Sequence, residues 1–457
     1  SLFLYFNAAV EGCYFAVCRV FGRLHELSDL PELDIPIMGI GWTSLPSAFL
    51  TLRAVSLLFG IALVWLVYGI GRYLSHSADV GMLAALLVAI SPNILENTRW
   101  VTPEGMLTFT VTAALFASLK AYEFGRARDY VLASVLAGLA ASIKYNGALV
   151  GLSVCLAAIF RDRARVYRNP WFYAAPLIAI TSFLLTTPYA LLDQKHFLQG
   201  MMFERKHYAT GHAGSDGDTL AFYCNYLLEG EGVVALLIIG GVVLSVVRFN
   251  PPTLIITIYC AVYFGFINTF VVRNGRTLVQ IIPALLVLAA WFAREAFVWL
   301  SAQKLAQRLP SAVRVVFPIL LLVGLIARPL RHSIRDTRAL LWKDNRELAH
   351  DWVEANLAPR TRIAIGDYAC YVSRSRYTLR PIKDVSKLSH RWLDQHADYV
   401  VLSSGAYTPY VSNPDRYPKE ARAYKMVMTD FELVAHFNDP KGGDEIRVYR
   451  IRPAPTT

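Results

Sequence analysis

Ten apolar runs divide the first 330 residues of this chain, and about 20 mostly apolar residues are what a helix needs to cross a bilayer. They are Leu50 to Leu74, Val80 to Leu95, Met106 to Tyr122, Tyr130 to Ile143, Gly147 to Phe160, Trp171 to Leu191, Gly232 to Val247, Thr253 to Val271, Leu278 to Val298 and Val313 to Pro329. The runs at Tyr130 and Gly147 are short for a full span, and the pattern predicts a tilt or break at Lys144-Tyr145-Asn146 between them. Ser1 to Gly22 is apolar but carries Glu11 and Arg19, and reads as an amphipathic helix lying at the interface.

Charge separates this region from the rest. The 127 residues from Arg331 to Thr457 hold 21 Lys/Arg and 16 Asp/Glu, while the first 330 hold 24 and 18. The C-terminal part has the charge density of a water-soluble domain, and the remainder that of a chain dissolved in lipid. We therefore divide the chain into a membrane domain, 1–330, and a soluble domain, 331–457. The partition excludes a single soluble globule, a disordered chain and a disulfide scaffold. The net charge of +11 does not mark a nucleic-acid partner: the arginines are scattered through short loops, with no basic groove or nucleic-acid motif. Cys13, Cys18, Cys155, Cys224, Cys260 and Cys370 form no CxxC pair, and those inside apolar segments read as small hydrophobes.

Loop charge orients the chain. The loops beginning near Gly71, Lys120, Arg161, Arg248 and Arg294 carry 12 Lys/Arg in about 53 residues; the opposite set carries 9 in about 100. Arg161-Asp-Arg163-Ala-Arg165-Val-Tyr-Arg168 is the strongest single indicator. The first set is thus expected in the cytoplasm. With ten crossings, Ser1 and the soluble domain are expected on the outward face. That domain reads as a small α/β fold. It has a helix over Asn345 to Ala355, strands at Arg362 to Asp367 and Asp398 to Leu402, and a closing hairpin of Phe431 to Phe437 with Glu445 to Ile451. It carries no nucleophile motif, metal spacing or phosphate loop.

Polar residues crowd the outward loops in four places. Asn97-Thr-Arg99-Trp-Val-Thr102-Pro103-Glu104 puts an acid where a helix restarts after Pro, a placement suited to a general base or a metal ligand, and equally to a simple helix-dipole acid. Lys144-Tyr145-Asn146 sets a cation between two weak apolar runs, where it needs a counter-charge such as a phosphate unless it snorkels to the interface. Arg205-Lys-His207-Tyr208-Ala-Thr-Gly211-His212-Ala-Gly214 offers two cations and two imidazoles for an anion or a metal, or is a solvated loop; the histidine spacing matches no strong metal motif. Val272-Arg273-Asn274-Gly275-Arg276 offers paired arginines for a phosphate, or an interfacial anchor. No one of these is specific. Their shared side favours an anionic ligand bound at the membrane surface.

Several segments, in order, resemble the C-type glycosyltransferases, polytopic enzymes that include protein O-mannosyltransferases and bacterial aminoarabinose transferases. Leu52-Arg53-Ala54-Val55-Ser56-Leu57-Leu58-Phe59-Gly60 is similar to the start of their second membrane helix. Ser91-Pro92 with Arg99 and Thr102-Pro103-Glu104, Ala137 to Tyr145, Tyr208 to Gly214, and Arg276 to Pro283 resemble successive family motifs. The resemblance runs from about Ser1 to Leu330, and the soluble domain is similar to those appended to bacterial members. Thr277 and Gln280 replace more usual residues after the arginine, and Glu104 stands where Asp is commoner.

The resemblance implies a polytopic α-helical membrane glycosyltransferase in a bacterial inner or plasma membrane. Its donor is a polyprenyl-phosphate sugar and its acceptor, a lipid, glycan or protein, binds on the extracytoplasmic face. It makes Glu104 an acid near the catalytic centre, and Lys144, Arg276 and Arg273 the holders of the donor phosphate. Arg99, Tyr145, His207, Tyr208 and His212 become contacts for substrate or metal. A divalent cation is an option it leaves open. It also implies one more spanning helix before Ser1, followed by an outward loop with the principal catalytic acid. The rival reading is a transporter or flippase of lipid-linked sugars, which requires broken helices and polar groups deep in the bilayer.

Overall fold

The computed structural model describes residues 1–26, 29, 46–215, 217–303 and 310–451. Most of the outward segment expected between the first helix and Leu50, residues 27–28 and 30–45, lies outside the described residues. Contacts divide the chain into two units, Ser1–Arg23 with Ser47–Ile334 and Leu24–Pro46 with Arg335–Thr457.

Each apolar run of the first unit is helical. After α1 (Leu2–Val20) comes α2 (Pro46–Ser75), a single 30-residue helix. It buries Leu52, Ser56, Leu63 and Val67 along one stripe and leaves Leu57, Leu58, Ile61 and Trp65 exposed. An apolar outer face of this kind is stable only in lipid. Helix α1 is largely exposed, with Leu4, Tyr5, Val17 and Val20 uncovered and Phe6 packed edge-on to Phe59.

The core forms around α5 (Pro103–Phe124), which starts with Pro at its first turn and ends at Gly125 in the left-handed region. It packs on α6 (Ala127–Ile143), and α6 packs on α8 (Pro170–Thr186). The second contact has no room for a side chain at Gly138, where a Cβ would run into the carbonyl oxygen of Ala179. The chain leaves α6 through Lys144 in extended conformation, makes a 3-10 segment at Tyr145–Val150, and enters α7 (Gly151–Asp162). The break expected at Lys144-Tyr145-Asn146 is therefore present.

Two other spans are bent. Helix α3 (Ala78–Ile90) meets α4 (Pro92–Thr98) at 62°, because Pro92 cannot donate the helical hydrogen bond. Helix α11 (Thr219–Glu231) meets α12 (Val234–Val247) at 116° through Gly232, whose φ is +60°. The run Val80 to Leu95 is thus broken at Ser91 rather than straight. Among the described residues, four helical stretches are long and apolar enough to cross a bilayer: Pro46–Ser75, Pro103–Phe124, Gly275–Ser301 and Val316–Ala339. The bent pairs raise the number to six, and Pro170–Thr186 and Pro251–Ile267 are apolar but shorter.

Between these lie α9 (Tyr189–Leu192), α10 (Gln194–Thr210), α13 (Pro251–Ile267), α14 (Gly275–Leu278), α15 (Ile282–Ser301) and α16 (Ser311–Ala339). Helix α16 continues past Pro329, where the apolar run ends.

The second unit is a five-stranded sheet in the order β2-β1-β3-β5-β4, with β1 at Arg362–Ile365, β2 at Thr378–Pro381, β3 at Tyr399–Ser403, β4 at Glu432–Phe437 and β5 at Ile446–Arg450. Strand β1 pairs in parallel with both β2 and β3, while β3-β5 and β5-β4 are antiparallel. The helix expected near Asn345 spans Asn345–Asn356 and covers one face. Strand β2 was not expected, because an edge strand of four residues ending in Pro carries almost no alternation.

Candidate functional site

The site begins with one ion pair. Glu104 opens α5 and is 3 % exposed; Lys144, at the break after α6, puts its Nζ 3.0 Å from Glu104 Oε1. Helix α5 packs closely on α6 and on the 3-10 segment, so helix packing rather than sequence proximity joins residues 40 positions apart. Glu104 supplies a counter-charge to Lys144. Among the described residues, Glu104 Oε2 finds no hydrogen-bond partner, and neither does the hydroxyl of Thr108, one turn further along α5.

A hydrogen-bond relay fixes what stands opposite. Asn146 Nδ2 donates to the hydroxyl of Tyr263 (2.8 Å), and that hydroxyl donates to the carbonyl oxygen of Thr277 (2.7 Å). Helix α13 thereby links the Lys144 segment to the turn that carries Arg276. The end of α10 is held to the same region by the backbone amides of Val271 and Val272, both donating to the carbonyl oxygen of Tyr208. The Tyr208 and Phe270 rings meet at 4.8 Å.

These ties enclose a cavity of about 690 Å³, lined by Lys144, Tyr145, Asn146, Glu204, Arg205, Tyr208, Phe270 and Thr277 among others. A second cavity, about 510 Å³ and almost wholly apolar, lies between α6, α7, α8 and α10, with Gly138, Gly151, Ala179, Phe183 and Phe197 in its walls. Tyr145 lines both and packs edge-on to Phe197 at 5.9 Å. A cavity that sets Lys144, Arg205 and Glu204 among largely apolar walls therefore adjoins an almost wholly apolar one of similar size, an arrangement that suits an amphiphile with a polar head.

Of the residues singled out by sequence, Lys144, Tyr145 and Tyr208 line the larger cavity, and Glu104 reaches it only through its ion pair with Lys144. Arg276 is exposed on the turn whose next residue, Thr277, lines the cavity. Arg273 lies over the Phe222 ring at 5.6 Å, outside the cavity lining. Arg99 is next to Trp100, whose ring also lies 4.8 Å beneath the Arg53 guanidinium. His207 and His212 stack on each other at 5.5 Å. Among the described residues, no group of three or more His, Cys, Asp or Glu is arranged to hold a metal. Sequence reasoning missed Tyr263 as part of the site. Tyr263 sits in an apolar run, whereas Arg205 belongs to the loop read as a candidate anion contact and does line the cavity.

Residues 44–188 match the family of dolichyl-phosphate-mannose-protein mannosyltransferases. The resemblance drawn from the sequence motifs is borne out over this segment, which holds Arg99, Glu104, Lys144 and Tyr145. No curated protein matches the chain by sequence. Among solved structures, the chain is similar to the Archaeoglobus fulgidus oligosaccharyltransferase in complex with Zn and sulfate. The identity is 15 % and the TM-score 0.50, over 92 % of this chain and 62 % of that one. The likeness shows a shared fold, and the chain spans less than two thirds of that protein's length. Lower scores relate it to ArnT from Cupriavidus metallidurans. The apo state gives TM-score 0.49 and 14 % identity over 88 % of this chain and 83 % of that one. The form bound to undecaprenyl phosphate gives 0.49 and 15 % over 88 % and 84 %. The chain is an integral membrane protein.

Proposed function

We propose that the first unit transfers a sugar from a polyprenyl-phosphate donor to a lipid, glycan or protein acceptor on the extracytoplasmic face. The observation that carries this reading is the Lys144–Glu104 pair beside a cavity that Lys144 and Arg205 line and that adjoins an almost wholly apolar one. The donor's phosphate sits near Lys144 and Arg276, with Arg273 assisting from the same turn. Its isoprenoid tail follows the apolar chamber past Tyr145. As the anomeric C–O bond breaks, negative charge grows on the departing phosphate, and the nearby cations stabilise it. Glu104 orients or deprotonates the acceptor hydroxyl or amine. Displacement in one step inverts the anomeric carbon. Arg99, Tyr208, His207 and His212 are the further substrate contacts, and a divalent cation near the histidines is compatible with the family. The topology has ten crossings, with both Ser1 and the 331–457 domain outward.

The test incubates the purified full chain, reconstituted in liposomes, with a panel of polyprenyl-phosphate sugars, and measures release of free polyprenyl phosphate. Release that falls with Arg276→Ala supports the reading, and the loss of one charged hydrogen bond should weaken donor binding by about 1.5–3 kcal/mol. The flippase reading gains weight from the two bent helix pairs. It requires sugar movement across the bilayer with no phosphate released. Orientation is read separately: a cysteine placed at Thr210 should react with an impermeant reagent from outside, and one at Ala164 should not.

A further inference from the structure

Both bent spans break at the same place, and one buried carboxylate joins them. Glu231 ends α11 and is 1 % exposed. Its Oε1 accepts the Ser91 hydroxyl at 2.5 Å and the Asn93 amide at 3.3 Å. Ser91 is fully buried and Asn93 is 5 % exposed. Gly230 is required beside it, because a Cβ there would overlap the Asn93 side chain. The break itself strands backbone groups away from water, where each unpaired group is costly. Ser91 Oγ takes the amide of Ile94, and Ser333 Oγ donates to the carbonyl of Ile90 at 2.6 Å. Glu231 completes this set by fixing the two side chains that begin α4.

What α4 carries makes the carboxylate more than a helix staple. Helix α4 is almost wholly buried: Asn97 donates to the Asn93 carbonyl and Thr98 to that of Ile94. Thr98 also lies against Gly60 of α2 and Gly105 of α5. From α4 the chain runs through Arg99 to Thr102 and into Glu104. On the other side of Glu231, Tyr226 of α11 receives the Asn93 amide on its carbonyl oxygen at 3.5 Å. Its ring packs so tightly on Gly275 that a Cβ there would collide with it. One carboxylate therefore sits where the segment leading to Glu104 and the turn carrying Arg276 both rest on α11.

We propose that Glu231 is a positioning residue for the transferase site: it touches neither chamber, but by accepting the Ser91 and Asn93 hydrogen bonds it sets the register of α4 and hence where Glu104 stands relative to the donor-binding cations. The proposal rests on the transferase reading above for its kinetic consequence, and on the hydrogen bonds alone for its structural one.

The experiment uses the full chain as wild type, Glu231→Gln, Glu231→Leu and Ser91→Ala. Gln keeps an oxygen in the acceptor position; Leu fills the space without one. Phosphate release should fall about 10–100-fold in Glu231→Leu, the cost of misplacing a catalytic group by about an ångström. Binding of a polyprenyl phosphate should stay within about 3-fold, Glu231→Gln should return near wild type, and Ser91→Ala should resemble Leu in direction. A second readout does not depend on turnover. A cysteine at Trp100, with Cys13 and Cys224 replaced by Ser, should change its maleimide reaction rate about 10-fold in the Leu background and little in the Gln background. Unchanged labelling with Leu overturns the proposal. So does a Gln variant as impaired as Leu, which would mean that charge rather than hydrogen bonding is needed. Parallel loss of lipid binding and folded yield also overturns it, as a general structural role. If wild type neither binds a polyprenyl phosphate nor releases one from a donor, the transferase reading fails, and the labelling rates alone decide whether Glu231 positions α4.

Discussion

Removing the ammonium of Lys144 while leaving Glu104 tests whether the pair is structural as well as functional. At 3.0 Å, and with an effective dielectric of about 20, the attraction is about 5 kcal/mol before desolvation is counted. Removing one partner of a fully buried pair costs about 3–5 kcal/mol, because the remaining charge is left uncompensated. The Glu104 side chain is 3 % exposed but that of Lys144 is 27 % exposed, so water screens part of the interaction. We expect Lys144→Met to destabilise the membrane unit by about 2–3 kcal/mol. Glu104→Gln should cost about 1 kcal/mol, since the lysine can reach water without its partner. The double variant should cost about 1–2 kcal/mol rather than the sum, because no isolated buried charge remains. Reversible unfolding in mixed micelles titrated with denaturing detergent measures all three. A Lys144→Met protein within about 0.5 kcal/mol of wild type, or strict additivity in the double variant, would refute the argument.

Other outcomes follow from particular contacts. Asn146→Ala and Tyr263→Phe each break the relay to the Thr277 carbonyl; each should cost about 1 kcal/mol and the pair should be non-additive, read in the same unfolding assay. Gly138→Ala drives a methyl group into the Ala179 backbone and should destabilise by about 1–3 kcal/mol, whereas Gly12→Ala, with nothing near its would-be Cβ, should not. In the C-terminal unit, burial raises the Glu445 carboxyl, but hydrogen bonds from Tyr407, Arg447 and His436 outweigh it and hold the group below its ordinary 4.5. A depressed folded value means the stability it contributes is present above about pH 4.5 and lost as pH falls further. Thermal melts of the full chain should therefore show a steeper acid-side loss for wild type than for Glu445→Gln; equal slopes would count against the network.

The sequence by itself determined that apolar helices make up the larger, N-terminal part of the chain and that a small α/β unit follows. Composition and periodicity are local properties that solvent reads directly. Long runs of Leu, Val and Ile without alternation satisfy their backbone in a bilayer as helix rather than as barrel strands. Alternation at Arg362 and Tyr399 marks strands wherever they end up in the sheet. The breaks at Lys144 and at Pro92 were legible to different degrees. Lys144 announces itself as a charge between apolar runs, while Pro92 sits within a run whose hydropathy hides the 62° bend. What only the tertiary structure decided is partnership. Nothing in the chain order pairs Lys144 with Glu104 rather than with a ligand, or makes Tyr263 the bridge between Asn146 and Thr277. Nor does it bring Glu231 to Ser91 across 140 residues. Those pairings depend on which helix faces meet, and Gly138, Gly230 and Gly275 set them by allowing a close approach that no side chain would permit. A polar residue in an apolar segment reads the same whether it faces lipid, cavity or partner; only packing tells them apart, because only packing decides which groups water no longer reaches.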